Sequence, residues 1–192
     1  MDISIEEIRT FLARRSRKEI SDPSLKRAAV LMAFFTKSKS WHLLMTKRSH
    51  DVEHHKGQIS FPGGAVDRGD KDITATALRE TEEEIGLPAA SVEVLGLHDD
   101  HETPTGFIMT PVVGYVKRMP ALTPRLEEVG EILEVPVSLF FDASKERVVK
   151  MDRMGKEIDV YFFDFGKHEI WGATARISRD FLQELADTKK LL

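Results

Sequence analysis

The sequence predicts an α+β protein, an α/β/α arrangement of helices around a mixed sheet. Short apolar runs bounded by turn residues recur along the chain. Amphipathic helical stretches stand near its start, its middle and its end. The two kinds alternate rather than segregate. Roughly seven strands are expected beside the helices, two of which are large.

Taken in order, Ser4-Ile5-Glu6-Glu7 is a capping box, and Ile5, Ile8, Phe11 and Leu12 follow at helical spacing. A helix over residues 4–17 is predicted, ending in the basic run Arg14–Lys18. Lys26–Phe35 and Trp41–Thr46 read as strands joined in a hairpin at Lys37–Ser40. Gln58–Phe61 is a short strand, followed by a turn at Pro62-Gly63-Gly64 and an acidic loop containing Asp70. The next helix begins at Asp72 or Ile73 and stops at Gly86, with Pro88 just beyond. Val92–Leu97 and Thr110–Val116 are the following strands, separated by a polar stretch from His98 to Gly106. Arg125–Glu134 reads as a short helix or as an acidic loop entering a strand at Ile132–Pro136. A late hairpin, Val148–Met151 with Val160–Phe165, turns at Met154-Gly155-Lys156, and Ile177–Leu185 is a closing helix. Phe163 and Trp171, aromatic among apolar neighbours, are expected in the core.

The chain of 192 residues, 41% hydrophobic and 31% charged, suits one domain spanning residues 1–192. A net charge of −4 argues against a nucleic-acid partner, which calls for a basic patch. It also means that an anionic ligand needs a metal or local cations to approach. The absence of cysteine excludes disulfides and thiolate metal sites. No apolar run reaches the length of a membrane span and the start, MDISIEEIRTF, does not read as a signal peptide, so a cytoplasmic protein is expected.

The central helix carries the chemistry. At about 100° per residue, Glu80, Glu83 and Glu84 share one face while Glu82 points elsewhere. Three carboxylates on one face repel, and the C-terminal end of a helix dipole favours cations, so the placement is costly unless something compensates. A solvated acidic face is the plain alternative. The glycine turn, Asp70 and Arg79 around these glutamates favour a site for Mg²⁺ or Mn²⁺, which take oxygen ligands and share them with phosphates.

The stretch Gln58–Leu87 resembles the Nudix box, Gly-x5-Glu-x7-Arg-Glu-U-x-Glu-Glu-x-Gly-U, where U is a bulky apolar residue. Gly64, Arg79-Glu80, Glu83-Glu84, Gly86 and Leu87 match. Asp70 stands where the first glutamate is usual, one extra residue separates it from Arg79, and Thr81 takes the first apolar position. Upstream, Thr46, Arg48, Ser49, His55-Lys56-Gly57-Gln58 and Phe61-Pro62-Gly63-Gly64 resemble the added signature of the coenzyme A diphosphatase branch, with Glu53 where an arginine is usual. Pro111-Val-Val-Gly114 and Ile170–Ala175 also resemble that branch, so the likeness spans residues 27–181.

The resemblance implies a Nudix fold and metal-dependent hydrolysis of a nucleoside diphosphate joined to another moiety, coenzyme A or an acyl derivative being the expected substrate. It implies Glu80, Glu83 and Glu84 as metal ligands and catalytic groups, Arg79 as their orienter, and Glu128 as a further carboxylate from outside the box. Arg48 and Lys56, with Gly63 and Gly64 of the turn, are the expected substrate-binding positions. Lys47, Arg48, His50, His54, His55 and Lys56 gather positive or titratable charge before the box, suited to phosphate. The adjacent His54 and His55 point apart and lack zinc-site spacing. Hydrolysis of ADP-ribose or a nucleoside-diphosphate sugar, which Glu53 favours, and a non-catalytic nucleotide-binding module are the alternatives. A homodimer is left open.

Overall fold

The computed structural model describes residues 3–49, 56–153 and 155–190. The expected sites of His50, Glu53, His54 and His55, and the turn residue Met154, lie outside them.

The first helix, α1 (Ile5–Arg14), starts on the expected capping box: Ser4 accepts from the Glu7 N–H, and the Glu7 carboxylate accepts from the Ser4 N–H. It stops at Arg14 rather than residue 17 because the basic run turns extended and pairs elsewhere. Arg15 binds Asp99 at 2.9 Å and Glu184 at 3.2 Å, and Arg17 binds Asp100 at 2.6 Å. The N–H groups of Lys18 and Ile20 donate to the same two aspartates. Burial works to raise both aspartate pKa values, but the Thr110 hydroxyl at Asp100 and these partners outweigh it and hold them below the ordinary range.

Next come β1 (Lys26–Lys37) and β2 (Ser40–Arg48), joined by a two-residue turn in which Ser38 and Lys39 both take positive φ, the twist that suits a tight hairpin. Short strands β3 (Ile59–Ser60) and β4 (Gly63–Ala65) follow. The expected Pro-Gly-Gly turn is therefore corrected: both glycines belong to a ladder, pairing with Val30 and Ala29 of β1. Helix α2 (Ile73–Ile85) is capped by the Asp72 side chain, which accepts from Ala75, and ends at Gly86 in the left-handed conformation.

Strands β5 (Glu93–Leu97), β6 (His101–Glu102) and β7 (Phe107–Tyr115) come next, so the polar stretch contributes one short strand of its own. β8 (Val129–Pro136) begins earlier than expected, and the segment before it is turn rather than helix. The late hairpin is β9 (Glu146–Arg153) with β10 (Lys156–Phe165), extended by β11 (His168–Trp171), and α3 (Gly172–Lys190) closes the described chain.

Among the described residues the main sheet has eight strands on the path β3-β2-β1-β7-β5, with β4 on β1, β6 on β7 and β8 on β2. β1 and β7 run parallel and the other pairs antiparallel, which makes the sheet mixed as expected. β1 is buried on both faces, and its alternation sorts the layers. Val30, Met32 and Phe34 pack with α1 and α3, whereas Ala29, Leu31, Ala33 and Phe35 pack with α2. That is the predicted α/β/α sandwich. Phe163 is fully buried as expected, but Trp171 is 38% exposed, because it stands on an outer strand of the small sheet β11-β10-β9.

Gly63 has φ of +144°, and a Cβ there would fall 2.2 Å from the Ala29 carbonyl oxygen. Gly106 also has positive φ, +80°, but nothing stands within 4 Å. Gly106→Ala is expected to cost the roughly 1–3 kcal/mol of backbone strain alone. Gly63→Ala should cost at least about 2 kcal/mol more, since backbone must shift against backbone. Urea unfolding of both variants measures the gap; equal losses would mean that β4 does not hold β1 this closely.

Candidate active site

Helix α2 brings its acidic residues to β4 in graded fashion. Glu84 is 5% exposed, and its Oε2 accepts from the Gly63 N–H at 3.1 Å. Glu80, one turn earlier, lies against Gly64, where a Cβ would meet its Oε2 at 2.4 Å. Glu83 stands at the outer edge with half its side chain exposed. Glu82 points away, accepting from the Ala89 N–H, as the helical phase predicts. The shared face is thus real but unequally buried.

Arg79 fastens this face to the loop before it. Its guanidinium forms a two-pronged bond to Asp70, at 2.8 and 3.0 Å, and reaches Glu80 at 2.9 Å and both Glu83 oxygens at 3.3 Å. The expected pairing with Glu83 is present, yet the stronger partner is Asp70. The Arg79 hydrogen bond, then the Asp67 N–H, hold the Asp70 carboxyl well below the usual carboxylate range. Thr76 donates to the same carboxylate at 2.8 Å. The shorter side chain and the extra residue of the loop therefore still reach the arginine. Thr81, in a position where an apolar residue was expected, is buried and satisfies its hydroxyl on the Ala77 carbonyl at 2.6 Å.

Glu128 comes to the glutamates through the backbone. The loop before β8 docks on the last turn of α2, where Thr123 N–H donates to Ile85 and Arg125 N–H to the Glu84 carbonyl, at 2.9 and 2.8 Å. These bonds satisfy carbonyls that a helix end leaves open. The Glu128 carbonyl then accepts from Ser49 at 2.8 Å, and its carboxylate pairs with Arg125 at 3.1 Å. Arg125 escaped the sequence reading; its only signal there is its place three residues before Glu128.

Arg48 ends β2 where these segments meet. Its N–H donates to Gln58 and its carbonyl accepts from Gly57, and its charge is felt by Glu84. The Arg48 Nε is buried and has no hydrogen-bond partner among the described residues. Lys56 is exposed in the turn before β3. Among the described residues no three histidine or acidic side chains already converge as a metal site: Glu80 and Glu83 are turned to Arg79 and Glu84 to the Gly63 N–H.

The electrostatics nonetheless concentrate negative charge. Burial, more than any neighbour, pushes the Glu84 carboxyl up to about 7; Gly63 and Arg48 oppose the rise, and Glu128 and Glu80 add to it. Burial also raises Glu80, against Arg79 and with Glu83 and Glu128. Carboxylates on a glycine-bordered helix face, beside a half-buried guanidinium, form the kind of site that handles phosphate esters or anhydrides.

The NUDIX domain pattern matches residues 25–136. An uncharacterized Nudix hydrolase, NudL, from Photorhabdus laumondii is 39% identical over 168 residues, covering 88% of this chain and 89% of its own. Its namesake from Pectobacterium atrosepticum is 36% identical over 145 residues, 76% of each chain. In structure, a C. elegans Ap4A hydrolase binary complex aligns over 88% of this chain and all of its own, with TM-score 0.56 and 13% identity. A MutT/nudix family protein from Enterococcus faecalis aligns over 96% of this chain and 70% of its own, with TM-score 0.56 and 15% identity. This chain belongs to the Nudix hydrolase family.

Glu84 holds its proton more tightly folded, to about 7, than unfolded, near 4.5. Its contribution to stability is full below pH 4.5 and is lost as pH rises through about 7. In chelator-treated buffer, Glu84→Gln should therefore be more stable than the parent by about 1–3 kcal/mol at pH 8. The two should converge near pH 4.5. Urea titrations at both pH values check this, and a gap independent of pH would contradict it.

Proposed function

We propose that this Nudix hydrolase cleaves the diphosphate of coenzyme A or an acyl-coenzyme A, giving 3′,5′-ADP and a 4′-phosphopantetheine, with Mg²⁺ or Mn²⁺. The observation that carries the reading is the buried Arg48 Nε, unpartnered among the described residues and electrostatically coupled to Glu84. A buried guanidinium N–H facing no acceptor is a ready donor to an anion. It stands in the stretch whose Thr46, Arg48, Ser49 and Gly57 resemble the coenzyme A diphosphatase branch.

The carboxylates suit a hard divalent ion: beyond the effect of burial, Glu83 and Glu128 raise the proton affinity of Glu80, and Glu128 and Glu80 raise that of Glu84, a repulsion that a cation would relieve. Glu80, Glu83 and Glu84 would hold it. When bound, such an ion lowers the pKa of a water and neutralises phosphoryl charge. Gly63 and Gly64 keep the β4 backbone close enough to α2 for an N–H to face the buried carboxylate. Arg79, locked to Asp70, orients Glu80 and Glu83. Glu128, less buried than Glu84, would take a proton at its carboxylate as water attacks. The protein is read as one domain, acting in the cytoplasm without nucleic-acid or membrane partners.

Millimolar Mg²⁺ or Mn²⁺ should raise the melting temperature, because a ligand of the native state stabilises it. A curve unmoved by metal, alone and with a diphosphate present, would count against the site. Glu83→Gln should abolish most turnover, whereas Glu82→Gln should be nearly silent.

Substrate choice is read from kcat/KM for coenzyme A, its 3′-dephospho form and ADP-ribose in one assay, with coenzyme A expected to lead. Arg48→Ala should lower the coenzyme A value about tenfold to a hundredfold, the worth of a charge-assisted hydrogen bond, and the dephospho value much less. A clear lead for ADP-ribose would overturn the coenzyme A reading and leave the metal-dependent hydrolase intact.

A further inference from the structure

The polar stretch that starts at His98 takes no part in the box chemistry. With α3 and the β9–β11 sheet it encloses a cleft of about 580 Å³, the size of a small-molecule site. None of Arg48, Lys56, Arg79, Glu80, Glu83, Glu84 or Glu128 lines it.

His98 is the unusual member. It is 1% exposed, yet neither ring nitrogen has a hydrogen-bond partner among the described residues. The Glu184 carboxylate is 3.9 Å from its Nε2, too far for a direct bond. His101 stacks beside it, ring centroids 6.2 Å apart, and its Nε2 is likewise buried and unpartnered. Burial first, then the Arg15 charge, push the His98 pKa down to about 3, so the ring is neutral near pH 7 and keeps one acceptor lone pair.

The rest of the wall selects the ligand. Among the described residues it carries seven carboxylates against one lysine and one arginine. Asp99, Asp100, Asp180 and Glu184 are paired by Arg15, Arg17, Arg176 and Arg179, but Asp152 and Asp159 stand exposed on the facing hairpin. Trp171, stacked on Phe162 at 5.8 Å, and Met151 give that wall an exposed apolar surface. An anion is repelled here. A neutral apolar molecule would leave the buried imidazole acceptors without a donor. An ammonium supplies several N–H donors at one point, and an aromatic face attracts it as well.

We propose that this cleft is a second binding site, distinct from the Nudix box, for a small organic cation: a primary amine with an apolar body. The ammonium sits among His98, Glu184 and Asp159, and the body lies on Trp171.

The test is titration of the full chain with phenethylammonium, followed by calorimetry and tryptophan fluorescence, beside uncharged 2-phenylethanol and anionic 3-phenylpropionate. Saturable binding of the amine is expected, at least about tenfold tighter than the alcohol, with no binding of the acid. Asp159→Asn and Glu184→Gln should each weaken the amine several-fold, and Glu83→Gln should not. If Glu184→Gln fails to fold because Arg15 loses its partner, Asp159→Asn decides alone. No saturation by about 10 mM, equal binding of the alcohol, or loss of binding in Glu83→Gln would overturn the proposal.

Discussion

The approach of α2 to the backbone of β4 is the constraint on which the rest of the site depends. Gly63 and Gly64 have no Cβ where one would strike β1 on one side and the Glu80 carboxylate on the other. Because the gap is that small, Glu84 is forced out of water and onto a backbone N–H. Its proton affinity rises as a direct consequence of that packing. The Arg79–Asp70 pair then fixes the rotation of the helix, so that the graded burial of Glu84, Glu80 and Glu83 follows from one geometry.

Much of the fold was legible because its signals are local. The capping box at Ser4, the Asp72 cap, the Gly86 stop and the hairpin at Ser38-Lys39 each depend on a few neighbouring residues. What stayed hidden depends on distant partners. α1 stops early because Arg15 and Arg17 find aspartates more than eighty residues away. β4 and β6 are too short to show a period, and each exists because a longer strand offers it hydrogen bonds. Trp171 reads as core by composition, but only the order of the small sheet puts it on the outside.

The site was legible to a similar degree and for similar reasons. Helical phase separates Glu82 from the other three glutamates correctly, since it needs only sequence spacing. It says nothing of their unequal burial, which β4 decides. The route by which Glu128 arrives, along a loop hydrogen-bonded to the end of α2, is a tertiary fact with no sequence period. Asp70, a departure when compared residue by residue with a motif, is in place the tightest anchor of Arg79, because loop length and side-chain length compensate each other.

β1 has two different partners along one edge: β4 beside Ala28–Val30 and β2 from Ala33 onward, with the Pro62 carbonyl bridging to the Leu31 N–H at 2.8 Å between them. The sheet is forked at that point, and Phe61-Pro62 is the stitch that closes the fork. Chain length is consequently not interchangeable around the site. Residues added to the surface loop ahead of α2 can bow outward without disturbing any ladder. One residue added between Phe61 and Gly63 would slide β4 by a place, turn Gly63 and Gly64 out of their gaps, and put a side chain where the helix now rests.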